Sequence, residues 1–197
     1  MYNYFSKIIH ALLLTSLIIG CDLVSTRDAE NPESSRSSYI VATTSDQLFT
    51  NLRNSFLEKV AKDYISSFVD SSFLKSPFLF TPSSDAIFKY SSLTDWDLGS
   101  EDIYFRNLIN AAEDKGNIIL SLELLSNSIE GNTENRNYNY TILLPIIDET
   151  TSSIYEGNAF FKVSLDANNQ WVITEWIDTK TSDNPTWSEL KGRFYLF

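Results

Sequence analysis

A small set of acidic and aromatic side chains in the C-terminal half of the chain could bind a ligand or transfer a proton. A carboxylate held among apolar residues has a raised pKa, and a neighbouring tyrosine can donate a hydrogen bond to a bound molecule. The candidates are a carboxylate in a leucine-rich stretch, two tyrosines, and a tryptophan and carboxylate near the end of the last strand: Glu123, Tyr140, Tyr155, Trp176 and Asp178. We take these five as candidate ligand-binding residues and assign no catalytic residue.

Each candidate also has a purely structural interpretation. Strand alternation can place Glu123 on the solvent face of a sheet. Tyr140 and Tyr155 can be ordinary sheet residues, and Trp176 can be a packing residue of the core or its rim. Asp178 can serve to end a strand or form a turn. The sequence leaves both interpretations open.

The only cysteine of the chain, Cys21, directly follows an apolar run. The run at residues 8–20 is too short to span a bilayer comfortably and is typical of the core of a signal peptide. Ile18, Ile19 and Gly20 lead into the cysteine, and this order of aliphatic, tolerated, small and Cys residues resembles the bacterial lipobox. The alternative is a buried N-terminal helix with a quiet core thiol, but the polar residues that follow would detach it from a core.

Lipidation of Cys21 predicts a protein anchored in the bacterial cell envelope, facing the periplasm or the cell exterior. Acyl chains hold a protein on a membrane with about 0.8 kcal/mol per buried CH₂, so several chains anchor far more firmly than one. Asp22 resembles the inner-membrane retention signal of enteric bacteria, and the choice between inner and outer membrane stays open.

Cleavage before Cys21 would also limit the chemistry that remains. The only histidine, His10, would leave with the signal peptide, and the thiol would be consumed by lipid. These losses exclude Ser-His-Asp and Cys-His catalysis, sites with histidine metal ligands and an internal disulfide. A net charge of −11 argues against nucleic-acid binding. No phosphate-binding loop or calcium-loop pattern occurs, so we predict no metal and no cofactor.

The chain divides into a signal peptide at residues 1–20, a lipidated cysteine and flexible polar tether at residues 21–44, and a folded domain at residues 45–197. Thr44 and Gln47 fit a capping box at the start of an amphipathic helix. In the first half of the domain we predict a helix break at residues 58–61, a strand at 78–81, and a helix from an N-cap at Ser100 to Gly116. In the second half we predict strands at 117–129, 138–147, 155–165 and 170–178, with a polar loop at 132–137. One helical turn is expected after Pro185. Helices followed by antiparallel strands indicate an α+β fold.

Three local motifs resemble the nuclear transport factor 2-like, or cystatin-like, superfamily. FLFTPSSDA resembles its first strand and turn, and DWDLGSEDIYFRNLI resembles the approach to its third helix in small bacterial lipoprotein-type members. GNAFFKVSLDANNQWVITEWIDTK resembles its closing hairpin. The resemblance covers roughly residues 45–195 and implies helices packed on a strongly curved, mainly antiparallel sheet that forms a cone.

The resemblance implies a scaffold shared by unrelated functions. We expect a non-enzymatic role in which the domain binds a small apolar ligand or an envelope protein. The alternative is an isomerase- or lyase-like enzyme that uses a pocket carboxylate with tyrosine assistance. Domains of this kind often pair through their sheets, so a homodimer is a further expectation.

Overall fold

Five helices and five strands make up the part of the chain, residues 37–196, that the computed structural model describes. The helices are α1 (Ser45–Glu58), α2 (Ala61–Ile65), α3 (Ser84–Lys89), α4 (Leu98–Ala111) and α5 (Trp187–Tyr195), with a 3₁₀ turn at Ser91–Asp95. The strands are β1 (Leu79–Thr81), β2 (Ile119–Glu130), β3 (Thr133–Leu143), β4 (Ile154–Leu165) and β5 (Trp171–Thr179). Within this part, no helix has the length and apolar character needed to cross a membrane.

The strands form one sheet in the order β1-β5-β4-β3-β2. Strands β2 to β5 are antiparallel neighbours, and only the short β1 pairs in parallel, with β5. A register shift interrupts β2 between Leu124 and Ser126. The observed architecture confirms the α+β fold class, and the strong curvature of the sheet stays a prediction.

The core lies between α1, α4 and α5 and one face of the sheet. Strand β4 confirms the strand predicted at residues 155–165, and its residues from Tyr155 to Val163 alternate between buried and partly or fully exposed positions. Phe49 of α1 packs on Tyr138 and Phe161, with ring centroids 4.8 and 5.2 Å apart. Such aromatic contacts bury a large apolar area and fix the helices on the sheet.

Local signals define the first helix well. The Thr44 side chain accepts a hydrogen bond from the Gln47 backbone N–H, as an N-cap does. The predicted break is confirmed, because α1 ends at Lys59 in the left-handed conformation and α2 begins at Ala61. The Gln47 side chain does not complete the capping box, since it donates to Asn51 instead.

Three predictions of local structure are wrong. Most of the loop expected at residues 132–137 belongs to β3, which begins at Thr133, because the turn is only Gly131 and Asn132, with Gly131 at φ +61°. Helix α4 begins at Leu98 rather than after Ser100, since the Asp97 side chain caps it. The single turn expected after Pro185 is the nine-residue helix α5, which a capping box at Thr186 starts.

The residues just before α1 contact the domain, although the sequence assigns them to the tether. Ala42 is buried, and its carbonyl accepts a hydrogen bond of 2.8 Å from the Trp171 N–H. The Asn51 side chain donates to the Ile40 carbonyl at 2.6 Å. The signal peptide and Cys21 lie outside the described residues. The described residues form one compact unit.

Candidate functional site

Two of the sequence candidates, Tyr140 and Asp178, meet in the interior. Tyr140 lies on β3 and Asp178 on β5, and the Tyr140 hydroxyl donates to Asp178 Oδ1 at 2.7 Å across β4. Gly157 of β4 makes this contact possible. A Cβ atom at Gly157 would lie 2.5 Å from the Tyr140 hydroxyl and 2.7 Å from the Thr179 carbonyl oxygen. The missing side chain at Gly157 therefore lets the phenol pass over the strand.

Both members of the pair also hold the first turn of α5. The Trp187 N–H donates to the Tyr140 hydroxyl at 2.8 Å, and the Ser188 N–H donates to Asp178 Oδ2 at 2.7 Å. The Ser188 hydroxyl donates to the same Oδ2. The first N–H groups of a helix lack partners within the helix, and a carboxylate there is stabilised by the helix dipole. The pair thus docks α5 on the sheet.

A second polar group, which we call the Glu101–Lys191 pair, lies beside the first. Both side chains are fully buried and form an ion pair between Lys191 Nζ and Glu101 Oε1. The Trp96 indole N–H donates to Glu101 Oε1 at 2.9 Å, and the Tyr64 hydroxyl donates to Glu101 Oε2 at 2.9 Å. These bonds compensate for the loss of hydration that a buried carboxylate suffers.

Aromatic rings surround the ammonium of this pair. Lys191 Nζ lies 3.5 Å from the ring centroid of Trp176 and 3.6 Å from that of Phe80. Cation–π attraction at these distances strengthens when the cation is desolvated. The chain therefore places its own cation between aromatic rings.

Burial shifts the pKa values of these groups in the directions expected for charges removed from water. Desolvation raises the pKa of Asp178, and the hydrogen bonds from Ser188 and Tyr140 oppose it. Desolvation lowers the pKa of Lys191 to about 8, against the opposing effect of Glu101. Burial also raises the pKa of Tyr140 well above its ordinary value. All three shifts have burial as their largest cause.

The other sequence candidates do not join a ligand-binding set. Trp176 is fully buried against Trp187, with ring centroids 4.4 Å apart, and its indole N–H has no acceptor among the described residues. Burial raises the pKa of the inward-facing Tyr155 to about 12. Glu123 is exposed and lies opposite the exposed Asn139, so it is on the outer face of the sheet.

Sequence reasoning missed the Glu101–Lys191 pair, although a signal for it was present. Trp187, Leu190, Lys191 and Phe194 recur at three- and four-residue steps, which places Lys191 on the apolar face of a helix. Glu101 lies in the first turn of α4, where an acidic residue is favoured by the helix dipole whether or not it is buried. A lysine within an apolar helical pattern predicts a buried acidic partner.

The interior of the described domain is filled by its own side chains. Phe56 packs against Phe105 and Trp187, with centroids 4.9 and 5.5 Å apart, and Tyr64 stacks on Phe105 at 3.9 Å. The Trp187 indole N–H donates to the Tyr104 hydroxyl at 3.0 Å. Tyr140 and Asp178, like Glu101 and Lys191, are thus paired within the fold. A proton-transfer site needs its acid or base to be open to substrate.

A cavity of about 670 Å³, which we call the groove, lies open to solvent where the β4–β5 turn meets the segment after α2. Its lining includes the aromatic side chains of Tyr39, Phe68, Phe73 and Phe78 and the carboxylates of Asp97 and Asp166. Among residues 37–196, no group of three or more His, Cys, Asp or Glu side chains is placed to hold a metal ion. The groove is therefore an aromatic, acidic surface.

No protein-family model matches the sequence, and no curated protein matches it. Solved structures do match the fold. A candidate dehydratase of the nuclear transport factor 2-like family from Streptomyces avermitilis has a TM-score of 0.50 at 9% identity, over 70% of this chain and 93% of that chain. A protein of unknown function from Mycobacterium tuberculosis has a TM-score of 0.50 at 10% identity, over 77% of this chain and 83% of that chain. The chain thus has the nuclear transport factor 2-like fold.

Proposed function

We propose that this protein is a lipid-anchored protein of the bacterial cell envelope whose domain binds a partner at its surface and performs no catalysis. One observation carries the proposal: in the described domain, the buried polar groups hold the structure together. Asp178 and Tyr140 dock α5, and Glu101 neutralises Lys191. A ligand entering there would have to displace bonds that stabilise the fold.

The filled interior favours an envelope protein as partner over a small apolar ligand held inside. The groove offers the alternative contact surface. Phe73 is 46% exposed there, and an exposed aromatic ring beside acidic groups is typical of a contact residue rather than a core residue. The membrane contact would be made by lipid on Cys21.

The test is photo-crosslinking in cells that express the full chain. A photoreactive phenylalanine analogue at Phe73 should give a discrete adduct with an envelope protein identified by mass spectrometry. The same analogue at Phe88, which is 96% exposed and does not line the groove, is the matched control. Equal adducts at both positions, or none at Phe73, would contradict the assignment of the groove.

A second candidate function, an isomerase- or lyase-like activity, has one observation in its favour. Asp178 has a raised pKa and accepts a hydrogen bond from Tyr140, so a carboxylate and a phenol lie together as a possible base and hydrogen-bond donor. The similar structure described as a candidate dehydratase motivates a panel of β-hydroxycarbonyl compounds. Turnover by the full chain that Asp178→Asn abolishes without loss of folded signal would favour the enzyme. No turnover of the panel would favour the binding role.

A further inference from the structure

The edge of the sheet at β2 is long, apolar and exposed. Strand β2 is the outer neighbour of β3, and among the described residues no strand lies on its other side. Every residue from Glu123 to Glu130 is exposed. Alternate N–H and C=O groups of an edge strand point away from the sheet, and they form a template for another strand.

Apolar side chains accompany these unpaired backbone groups. Leu124, Leu125 and Ile129 are 46%, 49% and 66% exposed. The register places Leu124 opposite Tyr138 and Ile129 opposite Glu134, and both of these β3 residues are buried. The helices that bury these β3 residues therefore leave the three side chains of β2 exposed. A further strand beside β2 would cover these three side chains.

Natural edge strands usually carry features that block further pairing, and β2 carries few of them. Lysine and proline are the commonest blocking residues, and neither occurs between Ile119 and Glu130. The strand has the register shift at Leu125 and two carboxylates, Glu123 and Glu130. These features restrict the register that a neighbouring strand can adopt, but they do not prevent a strand from pairing with β2.

We infer that β2 pairs in antiparallel orientation with β2 of a second copy of this chain. The register that overlaps the whole strand places Leu124 opposite Leu125 of the second copy, so the two bulges meet at the symmetry axis. Glu123 then lies opposite Ser126 of the second copy, and Glu130 lies opposite Ile119. No two carboxylates face each other, and like charges directly opposite would be unfavourable. The strand can thus pair with a copy of itself over its whole length without bringing like charges opposite each other.

This dimer differs from one in which two sheets pack face to face. The outer face of the sheet remains open to solvent, including the polar residues Asn139 and Asn158, which are cross-strand partners. Each copy carries a net charge of −11, so the two copies repel at long range. Screening by salt should therefore strengthen the dimer.

The first experiment measures self-association of residues 35–197, which contain the whole compact unit, by sedimentation equilibrium. We expect a reversible dimer that is tighter at about 0.5 M than at about 0.05 M salt. Leu125→Lys should weaken it by at least about tenfold, because two ammonium groups then meet at the axis. Leu57→Lys, at a helical site that is 48% exposed, should leave it within about twofold of wild type.

The second experiment tests the register with disulfides, since residues 22–197 contain no cysteine. The proposed pairing places Ser121 opposite Ser128 of the second copy. The double variant Ser121→Cys, Ser128→Cys should therefore form an intermolecular disulfide on mild oxidation, and each single variant should not. Residues opposite each other in antiparallel strands lie within about 5.5 Å, inside the range that a disulfide spans.

Three outcomes would overturn the inference. The first is a domain that stays monomeric at about 100 µM, a concentration that saturates most micromolar dimers. The second is a dimer that Leu125→Lys leaves intact. The third is a dimer that Asn158→Lys on the outer face dissociates instead, which would assign the contact to face-to-face packing.

Discussion

The ammonium of Lys191 is fully buried and forms an ion pair with the Glu101 carboxylate. Lys191→Met keeps much of the chain length and removes the charge, so it leaves the Glu101 carboxylate buried and unpaired. Breaking a buried ion pair in this way typically costs about 3–5 kcal/mol of folding free energy. Urea unfolding of the variant and the wild type measures the difference.

The double variant Glu101→Gln, Lys191→Met supplies the control. It removes both charges, and replacement of a whole buried pair is often close to neutral. We expect it to recover most of the stability lost in Lys191→Met. A double variant that is as unstable as the single one would show that packing of the lysine stem, and not the unpaired charge, determines the loss.

At the level of the elements, β4 must let the phenol of Tyr140 reach Asp178. Gly157→Ala would bring a Cβ atom to 2.5 Å from the Tyr140 hydroxyl and 2.7 Å from the Thr179 carbonyl oxygen. Because the second atom belongs to the backbone, β4 and β5 would have to separate. We expect a loss of about 2–4 kcal/mol in unfolding free energy, at the upper end of overpacking costs.

Combining Gly157→Ala with Tyr140→Phe distinguishes the two contacts. The phenylalanine removes the hydroxyl and its hydrogen bonds to Asp178 and Trp187, so Tyr140→Phe alone is the reference for the double variant. Against that reference Gly157→Ala should cost less than it costs in wild type, but still lower stability, because the Thr179 carbonyl stays in place. No further loss in the Tyr140→Phe background would show that the backbone contact is unimportant. An unfolding free energy for Gly157→Ala equal to that of wild type would contradict the role assigned to the glycine.

Sequence patterns predicted the elements that have local signals and missed those that depend on tertiary contacts. The apolar period and the cap at Thr44 located α1, and strict alternation located β4. The polar run at residues 132–137 was predicted to be a loop, yet it is strand, because its side chains form a buried network around Arg136 and Glu134. Polarity alone does not reveal pairing with a residue distant in sequence.

The candidate site also combines residues that the sequence predicted with residues that it missed. Tyr140 and Asp178 were selected for their types and strand positions, and the fold brings them together. Their role as anchors of α5 was not predictable, because the tail was expected to hold a single turn and no partner was known for it. Glu101 and Lys191 lie 90 residues apart, so only the folded chain shows that they pair.

At the scale of the whole molecule, the proposed lipid anchor on Cys21 would hold the domain at a membrane, and a partner would have to bind the domain's surface there. Cys21→Ser in the full chain should abolish incorporation of labelled fatty acid, because the chain has no other cysteine to accept a lipid. The protein should also move from the membrane fraction to the soluble fraction, since several acyl chains account for firm attachment.

A matched control, Cys21→Ser with Ser25→Cys, moves the thiol behind Asp22, Leu23 and Val24, where no small residue precedes it. This control should stay unlabelled if the context before Cys21 directs lipidation. Label that persists in Cys21→Ser would remove the anchor from the proposed function and leave the surface-binding domain to be tested without it.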